Sequence, residues 1–160
     1  MSNIIKLNNG HLAIEQARII FRNFEGRQDD YNSLGDRNFA VVIDDPNMVE
    51  SLRADGWNVK EWASKEDPDA VTFYLKVNVS YRFTPPVIDL IGSRNTQSLT
   101  EETAGIADRA NFSNIDLEIS PSHWTMKDGR SGITGYLTAL YGTIVEDYFG
   151  AKYGNMDASC

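Results

Sequence analysis

Arginines and aromatic rings alternate through residues 21–39, FRNFEGRQDDYNSLGDRNF: three Arg, three Phe and one Tyr in nineteen positions. Side chains of these two kinds together do one familiar job. Guanidinium and ammonium groups neutralise phosphates while aromatic faces stack on unpaired bases. The pairing recurs elsewhere: Lys60 with Trp62, and Tyr74 with Lys76 and Arg82. The candidate nucleic-acid contacts are therefore Arg18, Arg22, Arg27, Arg37, Lys60, Lys76 and Arg82 for phosphates. Phe24, Tyr31, Trp62 and Tyr74 are the candidates for bases. Each has a blander reading. Arg22 and Arg37 could brace the loop against Asp29, Asp30 or Asp36. Phe21, Phe39 and Trp57 read more simply as core. Phe24, Trp62 and Trp124 could be either. The signal lies in the recurrence over four segments.

Other chemistry has little to stand on. His11 and His123 are the only histidines, and no carboxylates fall at metal-ligand spacing around them. GRSGITG at 129–135 lacks the Lys-Ser/Thr ending of a phosphate loop and leads into a strand. An enzyme would need His123 against buried Asp116 or Glu118. Those two alternate with Ile115, Leu117 and Ile119 and so face outward. The reading is a non-enzymatic chain with no cofactor and no metal.

Composition sets the frame. One cysteine, Cys160, in 160 residues excludes an internal disulfide and a Cys-built zinc site. This fits a reducing cytoplasm. Neither a signal-peptide pattern nor an apolar run of the ~18 residues of a membrane helix is present. The net charge of −8 argues against a uniform polyanion binder. Residues 18–37 balance four Arg against four acids, whereas residues 99–120 sum to −4. Acidic segments beside neutral, cation-bearing ones leave room for a local groove.

Period-two alternation must supply the scaffold. In 71–83, VTFYLKVNVSYRF, the odd positions are apolar, and the even ones carry Tyr74, Lys76 and Arg82. Strands are also expected at 12–24, 37–43, 57–63, 86–92, 114–120 and 132–146, with a Lys127-Asp128-Gly129 hairpin turn before the last. In 12–24, alternation puts Phe21 on the face of Ala17 and Ile19. Phe24 falls with Arg18, Ile20 and Arg22. A helix should follow Asp44-Asp45-Pro46, with Met48, Val49 and Leu52 inward and Gly56 ending it. A second should start at Ser98-Leu99-Thr100-Glu101, a capping box, and bury Leu99, Ile106, Ala107 and Ala110. Residues 25–36 form a long polar loop. The fold class is mainly β: an OB-like Greek-key barrel with two short helices, a β-sandwich being the competitor. Residues 1–145 make the domain, and 146–160 an extended acidic and aromatic tail.

FRNFEG (21–26), NSLGDRNF (32–39), DGWNVK (55–60) and GITGYLTALYGTIVEDYFGAKY (132–153) resemble small early proteins of bacteriophages of the single-stranded DNA-binding type. The resemblance runs over about 12–153. It implies an OB-like domain in the cytoplasm of a bacterial host that coats single strands without sequence preference. It also implies a role in replication or recombination. Such proteins resemble this one in being acidic overall. They carry a tail that recruits replication partners. Here Glu146, Asp147 and Asp157 lie with Tyr148 and Phe149, but Lys152 dilutes the charge and DASC ends without an aromatic. The competing class is a phage protein-binding module directed at a host protein, since Arg, Tyr and Trp are also hot-spot residues. A homo-oligomer would pair long strand edges at 71–83 or 132–146.

Overall fold

The computed structural model describes residues 2–145. The expected tail at 146–160 lies outside them. Ten strands, β1 to β10, belong to one sheet. They are Asn3–Lys6, Leu12–Glu15, Ile19–Asn23, Arg37–Val42, Val59–Ala63, Val71–Val79, Val87–Ile91, Thr96–Leu99, Phe112–Thr125 and Ser131–Ile144. Among the described residues one α-helix, α1, spans Pro46–Asp55, and a 3-10 helix spans Ala104–Asp108.

The sheet path runs β1-β2-β9-β10-β6-β4-β3. Its middle closes on itself, because β2 and β3 are two halves of one bent strand. β2 pairs with β9, β3 pairs with β4, and at the bend Ala17 N donates to Ile115 O at 2.7 Å. Five strands thus form a ring: β2/β3, β4, β6, β10, β9. β6 and β10 run parallel, and the other neighbours run antiparallel. This is the Greek-key OB arrangement rather than a sandwich of two sheets.

Inside lie Phe24, Phe39, Val41, Leu75, Val77, Ile119 and Leu140. Alternation assigns most of them correctly. β6 buries Leu75, Val77 and Val79 and turns Lys76 outward, as its pattern requires. Beyond Val79 the strand stops. Phe83, which alternation would bury, is 85% exposed.

α1 follows its local signals. The Asp45 carboxylate accepts from Asn47 N at 2.9 Å, and Pro46 sits at the first turn. Gly56 closes the helix at φ +108 in the left-handed region that glycine tolerates. The second expected helix is replaced. Ser98 and Leu99 belong to β8, paired with Asp89 and Ile88 of β7, and only the short 3-10 turn follows. Leu99 and Ala107 are buried as expected, Ile106 and Ala110 only partly. The strand partner, invisible in a local window, outweighs a capping box.

The long-strand edges expected to be free are occupied. β6 has β4 on one side and β5 then β10 on the other; β10 has β9 on one side and β6 then β7 on the other.

Gly142 shows how tightly β10 meets β9. A Cβ there would collide with the Phe112 ring. Gly142→Ala is expected to displace Phe112 and destabilise by about 1–3 kcal/mol through overpacking, read as a lower urea midpoint.

Candidate nucleic-acid interface

The loop mouth that carries the most arginines is braced from within. Arg22 Nη1 donates to Ala107 O at 3.0 Å and Ala110 O at 2.6 Å, with its guanidinium over the Phe112 ring. Arg27 donates to Asn23 Oδ1 and Arg22 O and lies 3.8 Å from Glu25. Arg37 pairs with Glu101 at 3.7 Å and covers the Tyr81 ring. These three cations stitch strand, loop and 3-10 turn together, the bracing role weighed beside phosphate binding. The partners differ from the loop acids expected, being chiefly carbonyls and Glu101.

Asp108 anchors the same corner. Its Oδ1 accepts from Phe24 N at 2.7 Å and Oδ2 from Glu25 N at 3.1 Å, with the side chain 8% exposed. Asn23 Oδ1 receives Gly26 N and Arg27 N. Asp108→Ala would leave two backbone donors without an acceptor. The expected cost is about 1–3 kcal/mol, with faster amide exchange at Phe24 and Glu25.

Phe24 corrects the sequence expectation most sharply. It is 0% exposed and stacks on Phe39 with centroids 5.0 Å apart, so it cannot meet a base. Phe21 takes the outer place instead, 51% exposed. The cause is in the backbone. Gln16 and Phe21 both have φ +53, and the β3–β4 register shifts between Ile20 and Asn23. An irregularity of this kind reverses the alternation after it. A bulky residue held at positive φ stores strain of order 1–3 kcal/mol, a cost that tends to be retained at functional sites.

Phe21 meets Tyr74 edge-on at 5.4 Å and Trp62 at 6.0 Å. Three rings from β3, β5 and β6 thereby form one outer cluster. Cross-strand register puts Lys60 opposite Tyr74 and Lys76 opposite Ala40. Both lysines are exposed, and neither ammonium has an ion-pair partner among the described residues. Farther along, Asn58, Lys60, Lys76, Asn78 and Trp124 line one shallow groove of about 320 Å³. The outer face of β5, β6 and β10 therefore carries aromatics and free cations side by side.

The remaining candidates scatter. Arg18 is exposed and lines a recess beside Arg22 and Asn114. Tyr31 stands at the loop tip, 98% exposed. Arg82 lies over the Phe83 ring at 5.5 Å, at the far end of β6. Sequence reasoning missed Phe21, Phe83 and Tyr136 as outward-facing rings. Tyr136 was legible: the 132–146 pattern puts it opposite in phase to the buried Gly135 and Leu137.

Tyr81 is half-buried, and burial pushes its phenol above the ordinary value while Arg37 pulls the other way. It stays protonated, and a donor, throughout the neutral range. Among the described residues, no group of three or more His, Cys, Asp or Glu is placed to hold a metal ion. No described helix is long and apolar enough to cross a membrane.

A family model described as "Putative phage ssDNA-binding domain" matches residues 1–159. Among solved structures, the C-terminally truncated single-stranded DNA-binding protein of bacteriophage Enc34 is 12% identical. It superposes with a TM-score of 0.56 over 91% of this chain and 92% of that one. Another structure of the Enc34 single-stranded DNA-binding protein gives 12% identity and a TM-score of 0.56 over 92% and 88%. At such identity the likeness is one of fold. No curated protein matches the chain.

Proposed function

The chain belongs to the phage single-stranded DNA-binding domain family, and from that premise we propose that it binds single-stranded DNA through the outer face of β5, β6 and β10, without sequence preference. The observation that carries this site is the Phe21–Trp62–Tyr74 cluster beside the unpaired Lys60 and Lys76. Rings stack on any base, and lysines meet any phosphate, so the face is built for strands rather than sequences. The protein acts by holding a strand in replication or recombination, in the cytoplasm of the bacterial host. No reaction step is assigned to it.

Intrinsic fluorescence tests the site. Trp62 and Trp124 are exposed by 48% and 40%, whereas Trp57 is buried. Titration with oligo-dT is expected to quench part of the emission, and Trp62→Phe should remove much of that change. Binding with unchanged tryptophan emission would move the strand to another face.

A second reading rests on Tyr31 and Leu34, 98% and 77% exposed at the tip of the 25–36 loop. Two bare apolar side chains on a rigidly rooted loop suit a contact with a replication or host protein. Self-association through strand edges falls to β1, β3, β5 or β8, each of which has one side unpaired in the sheet.

A further inference from the structure

Two cavities meet where β6 leaves the barrel. Along one edge, β10 pairs in parallel with β6 at Gly135 and Tyr136, and resumes with β7 at Ala139. Residues 80–86 bow outward between these ladders. At the same place the β9–β10 register shifts between Leu137 and Ala139. The bow leaves a slot of about 460 Å³, walled by Phe83, Pro85 and Tyr136 and edged by Ser80, Ser120 and Thr138. Beside it lies a polar basin of about 550 Å³, lined by Lys76, Asn78, Arg37 and Tyr81 among others. Ser80, Arg82 and Tyr136 line both, so the cavities share a wall.

Their chemistries differ in a useful way. The slot offers aromatic faces and hydroxyls. A hydroxyl can donate or accept, so its rim can satisfy the edge of any base. The basin offers cations. Lys76 and Arg82 have no carboxylate partner there among the described residues. Arg37 Nε and Tyr81 Oη are buried donors without a hydrogen-bond partner. Asp36 and Glu101 are the acids on its lining, and Glu101 is already held by Arg37. A flat ring next to an anion describes one nucleotide.

We propose that the slot and basin together form a single-nucleotide subsite, which takes one base out of the bound strand between Phe83 and Tyr136 and seats its phosphate on Arg82 and Lys76. The proposal rests on the single-stranded DNA reading above and adds a defined anchor to it. Lys76 links the two regions, since it lines both the groove next to Lys60 and the basin. In the free protein Arg82 covers the Phe83 ring. Filling the slot exchanges that cation–π contact for a base stack and turns Arg82 toward the phosphate.

The test uses the full chain and oligo-dT carrying 5-iodouracil, a probe that photo-crosslinks to aromatic rings. Mass mapping is expected to find crosslinks at Phe83 or Tyr136. Phe83→Ala is expected to weaken oligo-dT binding by about five- to a hundredfold, the worth of one base stack. Phe83 is 85% exposed, so its removal leaves the fold intact. Wild-type binding with equal binding by Phe83→Ala, and no crosslink at either ring, would overturn the subsite alone. Absence of wild-type binding to oligo-dT would overturn the functional reading and the subsite with it.

Discussion

Phe24→Ala is expected to destabilise the protein by about 3–5 kcal/mol, the cost of emptying a fully buried aromatic site. The ring has no solvent exposure and stacks on Phe39 at the base of the loop. Phe21→Ala, three residues away in the same motif, should behave in the opposite manner. Its ring is half-exposed, and its backbone sits at φ +53, where alanine is no better placed. Stability should change by under about 1 kcal/mol, while single-strand affinity falls by the worth of a stack, about 1–3 kcal/mol. Urea melts and oligo-dT titrations of the two variants check this crossed pattern. Equal loss of stability in both would show that the bulge in β3 does not reverse the strand's faces.

Lys60→Ala combined with Lys76→Ala should give the largest change in binding. Two phosphate contacts would be lost from a face with no neutralising acids paired to either lysine. The slope of log affinity against log salt should flatten by about 1.4, at about 0.7 per phosphate on a single strand. Arg22→Ala should leave that slope unchanged and instead lower stability, because its guanidinium serves two carbonyls and the Phe112 ring. Titrations at several salt concentrations separate the two kinds of cation. A flattened slope for Arg22→Ala with none for the lysine pair would place the strand at the loop mouth.

The scaffold was legible where local rules act alone. The Asp45 cap, Pro46 and Gly56 bound α1 as their chemistry requires. Alternation placed Lys76 and Tyr74 on one face of β6 and Leu75 and Val77 on the other. It failed where one residue breaks phase. Left-handed φ at Gln16 splits the first barrel strand, and at Phe21 it exchanges the places of Phe21 and Phe24. Neither residue is a glycine, so no turn signal marks the break. The arginines are hard to read for a different reason. Composition finds guanidinium groups but not the groups 64 to 88 residues away that Arg22 and Arg37 meet, the carbonyls of Ala107 and Ala110 and Glu101. Lys60 and Lys76 looked no more specific in the sequence, yet among the described residues both are exposed without an ion-pair partner, and they lie beside the ring cluster. The aromatic cluster draws on β3, β5 and β6, and only tertiary pairing brings Phe21 to Trp62.

A grip on single strands by the outer face of β5, β6 and β10 has one decisive consequence in solution. Fluorescence anisotropy with labelled oligo-dT, repeated as salt rises and against the matching duplex, tests it most directly. Tight binding is expected at low salt, weakening steadily with added salt and preferring the single strand over the duplex. Lack of binding at low salt and micromolar protein, or equal affinity for the duplex, would contradict it.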